Sequence, residues 1–330
     1  MKKKILLLAL MLCTLLLAGC TTVNPINTAV ITEQPGVVTI LPEAVDNSEP
    51  EPKGEATLWF RYLDEPLLAP EYRMINQVSS QSYELALLTE LVAGPSTRRA
   101  ELSGLFPEGT RVLSTVTQGR TLFVTFSREL LGQLSDEPLD WQEYDKWRVE
   151  MPLRRRLAMQ TIAATVTENC NVDQVQILIS SDAATGVERL KQNYYLDDSV
   201  DEVLAMPLMR DETLLLTPPT VMHTVLQCWS ERDWLRLYNY VAARDTETGL
   251  ARPVYRSFVS GMEELPLVTD FSFAGGDVSP DGGSVVYTVH VATAEGTKPA
   301  RERNGMVIRL TRENGLWKIT YPQLTGWVEE

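Results

Sequence analysis

Histidine and cysteine are scarce in this 330-residue chain, with two of the first and four of the second. His223 and His290 alone leave little for an imidazole metal site or a histidine-activated nucleophile. Cys13 and Cys20 fall near the N-terminus, so Cys170 and Cys228 remain for the rest of the chain. There is no CxxC pair and no disulfide framework, and the two are expected as buried, unpaired thiols acting as small hydrophobes. Basic residues are also short, 30 against 44 acidic, for a net charge of −14. That balance argues against nucleic acid as a partner and against electrostatic adhesion to anionic lipid heads. A G-x-S-x-G elbow is missing, so Ser127, which follows a strand pattern, is expected to cap a helix or turn. No internal repeat relates the two halves.

What is present begins with Lys2, Lys3 and Lys4, an apolar run over residues 5–17, and Leu17-Ala18-Gly19-Cys20. The run is short for a transmembrane helix and has the length of a signal h-region. Small residues ahead of a cysteine are what lipoprotein signal peptidase needs. Residues 1–19 are therefore expected to be a lipoprotein signal peptide, with Cys20 as the lipid attachment point. The expected location is the extracytoplasmic face of the cell membrane. Without the three lysines the balance is 27 basic to 44 acidic residues, a net charge of −17, so attachment rests on the acyl chains. Residues 20–55 carry Pro25, Pro35, Pro42, Pro50 and Pro52, several acids and no aromatic residue. Such a segment buries too little apolar surface to offset its ordering entropy and is expected to be an extended tether.

Two folded units are expected beyond it, at residues 56–210 and 217–330, with Pro218-Pro219 marking the boundary. In the first, residues 56–63 read as a central strand. Residues 82–93 read as a mostly buried helix, apolar on two stripes and stopped by Gly94-Pro95. Residues 111–117 and 121–126 read as a hairpin, residues 152–167 as a helix with Pro152 in its first turn, and Val175, Ile177 and Ile179 as a strand. The expected fold class is α+β: a small mixed sheet with two helices on one face, then a second α+β unit. In that second unit, Met222, Val225, Leu226 and Trp229 keep helical spacing. Ser230-Glu231-Arg232-Asp233 resembles a capping box for the helix of Trp234, Leu237 and Tyr238. Tyr255, Phe258 and Met262 follow on a third helix. Strands come after Pro266, with Asn314-Gly315 as a two-residue hairpin turn.

Leu58-Trp59-Phe60, Glu90-Leu91-Val92-Ala93-Gly94-Pro95, Phe106-Pro107-Glu108-Gly109-Thr110, Val124-Thr125-Phe126-Ser127 and the strand residues 172–177 occur in one order. By this series, residues 56–185 resemble the GerMN domain family of sporulation and spore-germination proteins, in a single copy. The resemblance implies a fold similar to the ring-building modules of bacterial secretion and sporulation channels, and supplies no catalytic residues. Gly315-Leu316-Trp317-Lys318-Ile319 makes the second unit look like an NTF2-like, cystatin-type α+β cone.

Sharper chemistry is weighed against plain structure at four places. Glu143, Asp145 and Glu150 beside Trp141 and Trp147 could form an acid/base pair, but an acidic solvated loop is expected. Arg154, Arg155 and Arg156 splay around a helix, so pairing with nearby acids is expected rather than a phosphate site. His223 is expected in the core or at its rim. Trp229, Trp234, Tyr238, Tyr255 and Trp317 are expected to pack the second unit's core rather than line a pocket. The expectation is a non-enzymatic, lipid-anchored scaffold without cofactor or metal, meeting envelope proteins. The alternative is a binding module for peptidoglycan or a small ligand in the cone, which requires a hollow pocket there.

Overall fold

The structure, a computed structural model, describes residues 37–39, 51–78, 80–181, 186–196, 203–294 and 301–326. The expected signal peptide, Cys20 and most of the expected tether lie outside the described residues. Among the described residues, no helix is long and apolar enough to cross a membrane.

The first unit runs β1 (Val37–Thr39), β2 (Glu51–Tyr62), β3 (Leu68–Gln77), α1 (Tyr83–Val92), β4 (Leu102–Ser103), β5 (Val112–Gln118) and β6 (Thr121–Phe126). Then follow α2 (Asp145–Asn169), β7 (Gln174–Ser180), β8 (Gly186–Arg189) and β9 (Leu208–Met209). Strand β2 is central, as its apolar composition requires, but it belongs to its own three-stranded sheet, ordered β3-β2-β4. The hairpin strands form a second sheet, ordered β1-β8-β7-β6-β5 with β9 on β7, in which only β6 and β7 run parallel. The expected single sheet with helices on one face is therefore corrected: α1 and α2 touch strands of both sheets and form a layer between them. That placement explains why α1 buries Ala86, Leu87, Leu88 and Leu91 across two stripes. Ser82 caps α1 by accepting from the Leu85 N–H, and the helix ends at Gly94, whose φ is +91°.

The long helix also supplies what sheet pairing leaves undone. Strand β4 covers β2 only at Arg61 and Tyr62. Further along that edge, the Trp59 N–H donates to Thr165 Oγ1 at 3.1 Å and Thr161 Oγ1 donates to the Trp59 carbonyl. Asn169 accepts from the Thr57 N–H at 2.9 Å and returns a bond to its carbonyl at 2.8 Å. Thr161, Thr165 and Asn169 recur every four residues, so they lie along one line of the helix and act as a side-chain strand.

Two boundaries differ from expectation. Helix α2 begins at Asp145, leaving Pro152 in its interior, where the lost N–H frees the Arg148 carbonyl. Ion pairs Arg148–Asp145 and Arg154–Glu150 flank that position. Within the expected tether, Val37–Thr39 pairs with β8, and β2 already starts at Glu51. Both are extended, β-compatible segments beside strands with free ladder groups. At the expected boundary, Pro218-Pro219 form the first turn of a helix, and the Leu216 N–H before them donates to Leu68 O at 2.7 Å.

The second unit runs α3 (Pro218–Glu231), α4 (Trp234–Asn239), α5 (Tyr255–Glu263), β10 (Leu267–Val278), β11 (Ser284–Ala294), β12 (Arg301–Glu313), β13 (Leu316–Ile319) and α6 (Tyr321–Thr325). Its four strands pair antiparallel in sequence order, with irregularities near Asp270, Asp277 and Val291. Asp233, not Ser230, caps α4 by accepting from the Arg236 N–H, because Arg232 has turned left-handed to end α3. Asn314 and Gly315 both take positive φ, 52° and 82°, and close the β12–β13 hairpin.

Candidate functional site

Strand β2 carries a guanidinium inside an otherwise apolar run. Arg61 is 2% exposed, and every direction of its fork is used. Its Nε donates to Glu65 O and its Nη2 to Asp64 O, both at 3.0 Å, while Glu150 on α2 takes a charge-assisted pair. Glu150 also accepts from Arg154 Nε at 2.6 Å, and Arg154 reaches Asp136 at 2.8 Å and lies over the Trp147 ring. Burial works against the charge on Glu150, but the two guanidiniums outweigh it and hold the carboxyl below the ordinary glutamate value.

Above this ion-pair ladder lies an open groove of about 860 Å³. One wall is the end of α1, Val92 to Pro95, and another is Leu105, Phe106 and Glu108; Asp136 and Arg154 close it. The α1 corner is pinned from below. Glu71, 5% exposed, accepts from the Ser96 N–H and pairs with Arg73 at 2.7 Å, and Arg73 donates to Gly94 O and to Glu90. Two separate segments, Val92-Ala93-Gly94-Pro95 and Leu105-Phe106 with Glu108, therefore line one groove. Sequence reasoning named both but not their meeting, and it missed Arg61, Glu71 and Arg73. The signal for Arg61 was a charge within a strand that had to be buried.

The residues singled out for chemistry do not converge. Glu143 and Asp145 are exposed, and Glu150 is spent on Arg61 and Arg154. The three consecutive arginines part company: Arg154 to Glu150 and Asp136, Arg155 to Glu137, Arg156 to Asp211. Ser127 is buried and its Oγ accepts from the Arg111 N–H at 3.0 Å, tying the end of β6 to the residue before β5. His223 is exposed at the rim, edge-on to Phe271. Cys170 and Cys228 are both free thiols, pushed up to about 12 by burial, but only Cys228 is buried as expected and Cys170 is half-buried. Among the described residues, no three His, Cys, Asp or Glu side chains are placed to hold a metal ion.

Aromatic residues pack the core of the second unit among the described residues. Trp229 is 2% exposed with its indole N–H on Pro266 O, and Tyr238 stands edge-on to both Tyr255 and Phe258. A gap beside Trp229, Val268 and Met306 measures about 10 Å³, too small for a ligand.

Residues 62–183 match a family model described as Germane, for sporulation and spore germination. Residues 62–183 are thus similar to the Germane family. The match lies within the 56–185 span of the sequence resemblance and includes every groove residue named above except Arg61. Among solved structures, the tandem GerMN domains of the Bacillus subtilis sporulation protein GerM are similar at 16% identity, covering 52% of this chain and 50% of that one, with a TM-score of 0.32. The first GerMN domain of that protein alone shares 16% identity over 48% of this chain and 96% of its own, TM-score 0.27. A Clostridium perfringens protein described as a candidate lipoprotein shares 17% identity over 51% and 95%, TM-score 0.28. The chain thus spans half the length of the tandem GerM structure. No curated protein matches.

Proposed function

We propose that this chain is a lipid-anchored, non-catalytic interaction protein on the extracytoplasmic face of the cell membrane, serving sporulation or spore germination. The Germane match over residues 62–183 carries the reading. The groove supports it chemically. Leu105 and Phe106 give it an apolar centre, Glu108 and Asp136 a charged rim, and the ion pairs beneath keep both walls in register. Apolar centres with polar rims suit protein partners. A carboxylate held ionised by two guanidiniums is a poor proton donor, so the ladder serves positioning rather than acid catalysis. The run of lysines, apolar residues and Leu17-Ala18-Gly19-Cys20 supports the anchor.

The test is cross-linking in intact membranes followed by capture, comparing the native chain with Cys20→Ser and with Val92→Asp at the groove wall. Recovery of the same envelope-assembly proteins by the native chain, lost in both variants, is the expected result. Capture of glycan alone, or undiminished capture by Val92→Asp, would overturn the docking reading. A mature N-terminus without lipid would overturn the anchor.

A further inference from the structure

Residues 315–319, which marked the second unit in the sequence, turn out to face the first unit. A Cβ on Gly315 would come within 3.0 Å of the Tyr72 ring. Arg312, just before the turn, lies over both Tyr72 and Trp317 and bonds the Tyr72 hydroxyl. Lys318 goes deepest. It is 8% exposed, donates to Tyr62 Oη at 2.6 Å and to the Asn239 carbonyl, and lies 4.9 Å from the centre of the Tyr62 ring. The neighbouring Tyr240 ring stands edge-on to Tyr62 at 5.7 Å. Tyr62 and Arg61 are successive residues of β2, so the strand turns one toward this seam and the other toward the ion-pair ladder.

The seam holds a buried ammonium that no carboxylate touches among the described residues. Its polar partners are one phenol and one carbonyl, both neutral. Charges around it act only at a distance: Glu313 on β12, Glu101 and Arg99 before β4, and Arg252 after α4. The nearby Glu65 carboxylate is already taken by Arg236, with contacts of 2.7 and 2.8 Å. The lysine is also dispensable for hydrogen bonding, because Tyr62 Oη itself donates to Asn239 O at 2.8 Å. A Met of similar length would fill the same space without a buried charge.

We propose that Lys318 is a proton-responsive latch between the two units, which keeps their seam poised to open while it is charged and tightens it when it is neutral. Burial, the largest influence, lowers the lysine to about 8, so at neutral pH most copies carry the charge at a cost to docking. The sign follows from linkage. The undocked lysine holds its proton up to its ordinary value near 10.4, so between the two values the open form binds more protons, and docking strengthens as pH rises. The useful window ends near pH 9.5, because burial raises Tyr62 and Tyr240 and works in the opposite direction once free tyrosines ionise.

The decisive experiment is native-state amide exchange at pH 7 on the full chain in detergent, wild type against Lys318→Met. The reporters are the Ile319 N–H, bonded to Tyr240 O, and the Ala242 N–H, bonded to Ile319 O. Protection of both is expected to rise about tenfold in the variant. Unchanged or reduced protection would overturn the latch. Should the variant fail to fold, the Cε signal of Lys318 in the wild type decides: titration near pH 8 supports the proposal, and titration near 10.5 overturns it.

Discussion

Arg61 shows how a single residue can be costly and still hold a fold together. A buried guanidinium is tolerable only while Glu150, Glu65 O and Asp64 O receive its protons. Glu150→Gln is therefore expected to lose about 2 kcal/mol in urea unfolding, less than a fully buried pair because Glu150 reaches solvent. The pH dependence has a defined sign. Since the folded carboxyl titrates below its unfolded value, its share of stability is complete above about pH 4.3 and drains away as pH falls through the folded value. Acid titration of the variant should lack that component; identical acid profiles would contradict the account. Cys170 and Cys228 offer a second check at this scale. With both thiols pushed up to about 12, a thiol reagent at pH 8 should leave the native chain unlabelled and modify both residues in urea.

Among the elements, α2 departs most from its sequence pattern. Its polar line of Thr161, Thr165 and Asn169 looks like a solvated stripe, yet it completes the open edge of β2. Thr165→Val keeps the shape but strands the Trp59 N–H in the interior, and is expected to cost about 1–2 kcal/mol. Equal stability of this variant and the wild type would mean the edge is satisfied some other way. Pro152 works in the opposite sense. Replacing it with Ala returns a donor to the Arg148 carbonyl and should raise the thermal midpoint, by an amount worth up to about 3 kcal/mol. The helix start was misread because proline near a charged segment looks like a first turn. Strand β3 was missed because Pro70 breaks the pattern, and only its place at a sheet edge makes the proline acceptable.

At the scale of the molecule, the buried apolar residues of the two units form one continuous core. The crossover at Leu216 is hydrogen-bonded to β3, and Glu65–Arg236 spans the seam as a bidentate pair. Calorimetry should therefore show one unfolding transition for the described units rather than two, and Arg236→Met should lower it as a whole. Two resolved transitions would show that the seam contributes little to cooperativity.

Periodicity and turn chemistry by themselves determined the α+β class, the α1 helix and its Gly94 stop, and both hairpin turns. These depend on contacts between residues close in sequence, which a one-dimensional pattern records. Tertiary structure alone decided that the helices lie between two sheets, that Val92 to Pro95 and Phe106 line one groove, and that Lys318 lies against Tyr62. A buried polar residue takes its role from whichever partner the fold brings to it, and that partner can be 256 positions away, as Tyr62 is from Lys318.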